Sequence, residues 1–333
     1  MDPRDFPRHA ALDDTVAPAL GGSREATTEV PSSDALGDTL DSPERRRSAI
    51  AGPLPSTIGR FEVRSRLGAG GMGVVYAAHD PTLDRPVAIK VIRVAPGDGD
   101  SEGTGRLLRE AQALAKLSHP NVVSVYEVGR LDDQVYLVME LIRGLDLSSW
   151  LSQKTRPWDQ VLEVYIEAGR GLAAAHAAGL VHRDFKPSNA IVGDDGRVRV
   201  LDFGLARARG RPAEADPAVA LEASAPGAST SLDLRLTRTG ALVGTPAYMA
   251  PEQFQGREID AATDQFAFCV ALYHALFGQA PFPGATFLAL CDAVCAGQLR
   301  EPRPGPVPAH VVRAVLRGLA VEPGARWPSM DLL

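Results

Sequence analysis

The sequence His182-Arg183-Asp184-Phe185-Lys186-Pro187-Ser188-Asn189 decides the fold of this chain, and Leu201-Asp202-Phe203-Gly204 follows it after a short gap. Two short strands are predicted between these runs, at 190–192 and 198–201, around a turn at 194–196. Taken one at a time, Asp184, Asn189 and Asp202 are residue types that commonly form turns and caps. A catalytic interpretation therefore needs further motifs elsewhere in the chain.

A glycine-rich segment lies upstream, at residues 67–75, and reads LGAGGMGVV. Glycines allow backbone amides to approach phosphate oxygens without obstruction by a side chain. The pattern alone is compatible with a phosphate loop, a dinucleotide-binding fingerprint or a glycine-rich hairpin. A dinucleotide site requires a helix directly after the loop. Because residues 74–76 continue as a strand, the dinucleotide alternative is disfavoured.

A lysine and a glutamate follow the glycine-rich segment. Lys90 lies in the predicted strand 86–93, in the run VAIK, where an isolated lysine would usually lie along the protein surface. Glu110 lies on a helix predicted from apolar spacing over 107–117, where an isolated glutamate would usually be an exposed charge. Placed after a phosphate loop, Lys90 could contact phosphates and Glu110 could hold it.

The segment GTPAYMAPE at 244–252 completes a set of motifs, and the chain closely resembles the eukaryotic-like serine/threonine protein kinases of bacteria. The kinase signature comprises the glycine loop, VAIK, HRD with a following Asn, DFG and APE. All five occur here in that order, and the resemblance covers about residues 59–333. It implies an α+β, two-lobe protein kinase fold with ATP in the cleft. A small five-stranded N-lobe with one helix would occupy 59–142, and a larger, mostly helical C-lobe 143–333.

The resemblance implies a division of labour among a few polar side chains. Catalytic roles fall on Asp184, Lys186, Lys90 and Glu110, and metal-binding roles on Asn189 and Asp202. Lys90 would position the phosphates and be held by Glu110, while Asp184 would orient the acceptor hydroxyl and accept its proton. Because the transition state spreads charge over phosphate oxygens, positioning and cationic stabilisation carry most of the catalysis.

The residues around the HRD run also indicate the acceptor class. Serine/threonine kinases resemble H-R-D-x-K-P-x-N here, whereas tyrosine kinases carry a different run after the aspartate. By this resemblance Lys186 would contact the γ-phosphate, and Thr245 would hydrogen-bond near Asp184 in the substrate groove. The expected acceptors are therefore serine and threonine hydroxyls of proteins.

The same resemblance implies a nucleotide pocket and its cofactors. Adenine would lie between apolar side chains, with Met139 as gatekeeper; the backbone of Glu140 and Ile142 would take its edge, and Asp146 could reach the ribose. The full set of nucleotide-binding residues is Leu67, Gly68, Gly70, Gly73, Val75, Ala88, Lys90, Met139, Glu140, Ile142, Asp146 and Ile191. The implied cofactors are ATP and Mg²⁺, for which Mn²⁺ can substitute.

Regulation by autophosphorylation is a further expectation from the resemblance. Thr237 and Thr239 lie shortly before Gly244 and resemble threonines that relatives phosphorylate on themselves. Arg183 offers a guanidinium that can bind such a phosphate bidentately. The run 209–233, rich in Ala, Pro, Gly and Ser, is predicted to be a flexible insertion that lengthens this activation segment.

Composition sets the outer limits of these expectations. The formal net charge of −6 gives no global basic field, so no nucleic-acid partner is expected. Residues 1–58 are polar and proline-rich and are predicted to form a disordered tail. The longest apolar stretch, 266–291, is broken by polar residues and prolines, so no membrane span is expected. The three cysteines fit a reducing compartment, and we expect a cytoplasmic location.

The expected function is therefore transfer of the γ-phosphate of MgATP to protein serine and threonine hydroxyls, including those of the chain itself, within a signalling pathway. Two alternatives remain: a pseudokinase scaffold and a small-molecule kinase of related fold. The first usually lacks one of Lys90, Asp184 and Asp202, and the second generally lacks the segment 244–252. The chain stops at Leu333, within the expected last helix, which indicates a piece of a longer protein.

Overall fold

The computed structural model describes residues 54–70, 73–92, 101–131, 134–203 and 245–333. Its first part is a six-stranded antiparallel sheet with the order β1-β2-β3-β4-β6-β5. The strands are β1 Thr57–Ile58, β2 Phe61–Gly70, β3 Gly73–Asp80, β4 Arg85–Ile92, β5 Val125–Leu131 and β6 Gln134–Glu140.

Strand β4 lies at the centre of this sheet and is buried on both faces from Val87 to Ile92. One face packs in a cluster around Phe61, Ile89 and Val138. The other face packs against helix α1, Ser101–Lys116. Apolar burial on both faces explains why the strand is a continuous hydrophobic run rather than an alternating one. Lys90 interrupts that run and is itself only 4% exposed.

Helix α1 presents one apolar stripe to the sheet. Leu107, Ala111 and Leu114 recur at spacings of four and three residues and are all buried. Glu110 lies between them on the helix and is half-buried. The helix therefore places a carboxylate at the border between the sheet and the second part of the fold.

The second part is mostly helical and carries a small three-stranded sheet. Its strands are β7 Gly144–Asp146, β8 Ala190–Gly193 and β9 Val198–Val200, in the order β7-β8-β9. Its helices are α2 Leu147–Gln153, α3 Trp158–Ala177, α4 Pro251–Phe254, α5 Ala261–Phe277, α6 Phe287–Cys295 and α7 Ala309–Gly318. None of the helices in the described part of the chain is both long and apolar enough to cross a membrane.

Helix α5 is the centre of this second part. It is buried continuously from Thr263 to Tyr273, because helices and loops cover it all round. Three consecutive polar residues, Thr263, Asp264 and Gln265, are buried at its start. Each has hydrogen-bond partners, as buried polar groups require.

The observed elements differ from the expected ones at the N-terminal edge. The five expected strands are present, and the short strand β1 adds a sixth by pairing with β2. Ile58 of β1 is buried in the sheet cluster, although 1–58 is predicted to be a disordered tail. Residues 1–53 and the insertion 209–233 lie outside the described residues. The lobe boundary between 142 and 143 stays a prediction.

Candidate active site

Helix α5 holds the start of the loop 182–189 through hydrogen bonds from the loop backbone to Asp264. The carboxylate of Asp264, 1% exposed, accepts the backbone N–H groups of His182 and Arg183, each at 2.7 Å. It also contacts Nε2 of His176 on α3 at 2.7 Å. Arg183 has a φ of +66°, a conformation that costs free energy for a residue with a Cβ. The two bonds to Asp264 hold the loop in this strained form.

Aromatic side chains fix the same loop from the side. The ring of His182 donates from Nε2 to the Leu201 carbonyl at 2.8 Å, and its Nδ1 accepts the Asp184 N–H at 3.3 Å. These two bonds select the neutral tautomer with its proton on Nε2. The ring also packs against Phe203, with centroids 4.9 Å apart. Phe185 is fully buried against Phe268 of α5, so its large ring fills the core beneath the loop.

The loop brings Asp184, Lys186 and Asn189 together. Lys186 Nζ lies 2.9 Å from Asp184 Oδ2. The side-chain amide of Asn189 donates to the Asp184 carbonyl at 2.9 Å, and the Asn189 carbonyl accepts the Leu201 N–H at 2.8 Å. Strand β9 is thereby joined to the loop, which places the following residue, Asp202, at the same end of the sheet.

A lysine from the first part of the fold reaches Asp202. Lys90 Nζ lies 2.8 Å from Asp202 Oδ1. Asp202 has a φ of +60°, so two of the three non-glycine residues with positive φ in the described chain lie in this site. Strained backbone at a cluster of polar side chains is typical of functional sites.

Glu110 pairs with Arg183, whereas the sequence predicts a pair with Lys90. Arg183 Nη1 lies 3.2 Å from Glu110 Oε1. The second carboxylate oxygen of Glu110 is buried and has no hydrogen-bond partner among the described residues. The difference has an electrostatic reason: two cations and two carboxylates meet here, and Lys90 is already neutralised by Asp202. A pair between Lys90 and Glu110 stays a prediction for another state of the site.

The glycine positions show where the site leaves room. A Cβ added to Gly68 or Gly70 would meet nothing within 4 Å, so packing does not explain why these residues are glycine. Gly73 differs, because its φ is +142° and a Cβ there would overlap the Val91 carbonyl. The open space beside Gly68 and Gly70 fits a loop that must admit phosphate oxygens.

The residues expected to contact adenine lie on both sides of the segment 140–143, which joins the six-stranded sheet to the mostly helical part of the fold. Ala88 and Met139 are buried in the cluster beneath α1, and Ile142 packs against it. Val75 and Ile191 are half-buried, and Leu67 is 54% exposed. The backbone N–H of Glu140 donates to the Ser124 carbonyl at 2.9 Å, so this N–H already has a partner. A hydrogen bond from adenine to the Glu140 backbone stays a prediction.

Asp146 has a structural role that its sequence position did not indicate. It caps helix α2: its Oδ1 accepts the Ser149 N–H at 2.9 Å, and its Oδ2 accepts the Ser149 hydroxyl at 2.8 Å. A helix N-cap is a common role for aspartate. Contact between Asp146 and a ribose stays a prediction. A ribose hydroxyl would have to share the two carboxylate oxygens of Asp146 with Ser149.

Two functional positions were missed by reasoning from the sequence. Asp264 anchors the loop, and Gln253 donates from Nε2 to the Arg183 carbonyl at 3.0 Å. The available signal was the polar triplet 263–265 within an otherwise apolar helix. Thr237 and Thr239 lie outside the described residues, as does the side chain of Thr245. Glu252 and Arg326 form a buried ion pair with two contacts of 2.8 Å.

Comparison with known proteins identifies the family. A family model for the protein kinase domain matches residues 61–293. A probable serine/threonine-protein kinase of Streptomyces coelicolor is 35% identical over 285 residues, covering 82% of this chain and 38% of that protein. The serine/threonine-protein kinase PknL of Mycobacterium bovis is 38% identical over 241 residues, covering 72% of this chain and 55% of that protein. The chain thus spans 38% and 55% of these relatives' lengths.

A solved structure shows the same fold. The kinase domain of Mycobacterium tuberculosis PknI aligns with a TM-score of 0.58 and 24% identity, covering 84% of this chain and 96% of that domain. This likeness confirms the α+β kinase fold expected from the sequence. The chain therefore belongs to the protein kinase family, and its domain is similar to those of bacterial serine/threonine-protein kinases.

Proposed function

We propose that this chain transfers the γ-phosphoryl group of ATP, with magnesium, to serine and threonine hydroxyls of proteins. The observation that carries the proposal is the 2.8 Å ion pair between Lys90 and Asp202. In this pair, the buried ammonium group of Lys90 can bind phosphate oxygens, and the carboxylate of Asp202 can bind magnesium. Asp184, Lys186 and Asn189 lie on the loop beside that carboxylate.

Each residue has a chemical task in this reaction. The acceptor oxygen forms a bond to the γ-phosphorus while the bond to the β–γ bridging oxygen breaks, and the hydroxyl proton passes to Asp184. Lys186, which lies 2.9 Å from Asp184, would neutralise charge on the transferred group. Lys90 would bind phosphate oxygens, and Asp202 and Asn189 would hold magnesium. When bound, that metal neutralises the charge on the phosphates.

The alternatives are less well supported by the residues present. A pseudokinase scaffold would not need Lys90, Asp184 and Asp202 all in place. A small-molecule kinase would not need the segment 244–252. Gln253, the residue directly after this segment, donates a hydrogen bond to the Arg183 carbonyl in the loop 182–189. We also propose a cytoplasmic location, which is supported by three cysteines that are all unpaired.

We further propose that Thr237 and Thr239 are autophosphorylated and that Arg183 binds the phosphate. Arg183 is half-buried, and within the described part of the chain its guanidinium makes one ion pair, a 3.2 Å contact with Glu110, although it can donate bidentately. A phosphothreonine carries about −1.5 to −2 charges and competes strongly for such a guanidinium. Glu110, released in this way, would be free to pair with Lys90.

The test of the catalytic proposal compares two aspartate variants. Asp184→Asn removes the proton acceptor and keeps the shape, so it should lower turnover by roughly 10²–10⁴-fold, the usual contribution of general base catalysis. Asp194→Asn is the matched control, because Asp194 is exposed on the neighbouring hairpin and should turn over normally. Activity is measured as labelled phosphate transferred from MgATP to a generic protein substrate.

Two further measurements make the result decisive. Thermal melting should be the same for both variants, which separates catalysis from folding. Analysis of the phosphorylated residues should find phosphoserine and phosphothreonine in the wild-type reaction. Full turnover by a folded Asp184→Asn protein, or phosphate found only on tyrosine, would contradict the proposal.

A further inference from the structure

Arg199 is a buried cation that contacts two partly exposed carboxylates beside the expected nucleotide site. It lies on strand β9, and its side chain is 10% exposed. Its Nη1 and Nη2 donate to the two carboxylate oxygens of Asp195, at 3.0 and 2.7 Å. Its Nε lies 3.2 Å from Glu140 Oε1. One guanidinium therefore joins the β8–β9 hairpin to the end of strand β6.

The hairpin is built to hold this guanidinium. A Cβ on Gly193 would overlap Asp195 Oδ1 and lie 3.0 Å from Arg199 Nη1, so a larger residue would have to displace the ends of both side chains. Asp195 also accepts the Arg197 N–H at 3.2 Å. The hydrogen bonds from Arg199 hold the pKa of Asp195 well below its usual range, so this carboxylate stays ionised. Asp195 thus orients Arg199 at all pH values near neutrality.

Glu140 is the residue through which this cluster can act. It is the last residue of β6 and begins the segment 140–143 between the two parts of the fold. Its N–H is fixed to Ser124, and a hydrogen bond from adenine to its backbone stays a prediction. The neighbouring Arg143 carbonyl accepts the Asp194 N–H at 2.8 Å, so the far end of the segment is attached to the same hairpin.

We propose that Arg199 is a positioning residue for ATP: it holds the Glu140 carboxylate and thereby sets the backbone that binds adenine. This inference rests on the proposed function, because it assigns Arg199 to the nucleotide site of that reaction. Arg199 itself lies on the hairpin and has no expected contact with the reacting atoms. Its loss should therefore weaken ATP binding while leaving the chemical step intact.

The geometry of the fork explains why arginine stands at this position. A guanidinium can donate to Asp195 through two nitrogens and to Glu140 through a third at the same time. A lysine ammonium is a compact point charge and cannot match both carboxylates in this way. The hydrogen bond to Asp195, together with the charges of Glu140 and Glu167, raises the pKa of the Arg199 guanidinium, so it is charged at neutral pH.

The test measures the KM for ATP and kcat separately in Arg199→Lys and Arg199→Gln. Both variants should raise KM for ATP by about three- to tenfold, the size typical of a coupling between contacting residues. The kcat at saturating ATP should stay within about twofold, because the transition-state contacts remain. Arg197→Gln is the matched control: this arginine is exposed on the same hairpin and should leave both constants unchanged.

A double-mutant cycle separates positioning from a merely structural role. Glu140→Gln should raise KM for ATP similarly, and the Arg199→Gln, Glu140→Gln double variant should add little to either single change. If Arg199→Gln does not fold, Arg199→Lys and Asp195→Asn complete the test, since Asp195 is exposed. If the wild type is active and the folded variants have the same KM for ATP as the wild type, the inference is overturned. A wild type without phosphoryl transfer would instead overturn the proposed function.

Discussion

Glu252 and Arg326 form the most completely buried ion pair in the described chain, with side chains 3% and 0% exposed. Arg326 donates to both carboxylate oxygens at 2.8 Å, and Thr263 donates its hydroxyl to Glu252. The remaining donors of Arg326 bind backbone carbonyls of Ala262, Ala320 and Val321. Because both charges have left water, breaking the pair leaves one of them uncompensated.

We expect Glu252→Gln to lower the free energy of unfolding by about 3–5 kcal/mol, since it leaves Arg326 buried without its counter-ion. The matched control is Glu322→Gln, which removes an exposed contact of 3.8 Å with Arg257. That change should cost less than about 0.5 kcal/mol. Urea denaturation monitored by circular dichroism measures both.

The pH dependence of this difference checks its electrostatic origin. Burial alone raises the pKa of Glu252, but the hydrogen bonds and charge of Arg326 outweigh it and lower the pKa from its ordinary value. The stabilisation is therefore present above the ordinary pKa of a glutamate and is lost as the pH falls through the lowered pKa of Glu252. The gap between wild type and Glu252→Gln should narrow on acidification, and a constant gap would show that charge is not its cause.

Among the helices, α5 and α7 make an unusually close contact. A Cβ on Gly318, the last residue of α7, would overlap the sulfur of Cys269 in α5. Cys269 is fully buried, and burial raises the pKa of its thiol to about 12, so it behaves as a small neutral core residue. The pair of small residues therefore sets the distance between these helices.

We expect Gly318→Ala to destabilise the protein by about 1–3 kcal/mol through overpacking. Gly105→Ala in α1 is the matched control, because a Cβ there meets nothing within 4 Å. Alanine should stabilise that helix by up to about 1 kcal/mol. Adding Cys269→Ala to Gly318→Ala should recover part of the loss, and a melting temperature raised by Gly318→Ala alone would refute the packing argument.

Helix and strand patterns predicted most of these elements within a few residues. The apolar spacing of the sequence predicts a helix over about 263–277, and helix α5 spans Ala261–Phe277. The apolar run at 122–128 predicts a strand, whereas strand β5 begins at Val125. The reason is tertiary: Val122 and Val123 are buried against Val200 of β9 rather than paired within the sheet. Their apolar character was correctly recognised, but the sequence does not show which part of the fold covers them.

At the scale of the whole molecule, the contact between Glu110 and Arg183 joins helix α1 to the loop 182–189. The motifs indicated that Lys90, Arg183 and Asp202 meet in the site, and the resemblance added Glu110. The sequence could not predict how they pair, because Lys90 and Arg183 each lie within reach of a carboxylate and local spacing does not rank the combinations. The proposed phosphorylation would add an anion that competes with Glu110 for Arg183, and it would thereby change which charged residues pair.

We expect a Thr237→Ala, Thr239→Ala variant to stay at low activity after phosphatase treatment and re-incubation with MgATP, whereas the wild type recovers. The reason is that the variant has no phosphate with which to draw Arg183 from Glu110. Activity is measured on an added protein substrate. A Ser224→Ala, Thr230→Ala variant in the insertion is the control and should recover like the wild type. Equal recovery of all three proteins would contradict this assignment.

The left-handed backbone of Arg183 has a consequence for anyone who evolves this domain in the laboratory. Glycine adopts a φ of +66° without penalty, so a screen that rewards heat resistance alone would favour glycine at position 183. The selected proteins would have lost the guanidinium that contacts Glu110 beside Asp184. Under the proposed phosphate-binding role of Arg183, selection for stability and selection for phosphoryl transfer favour different residues at this position, so a library must be screened for both at once.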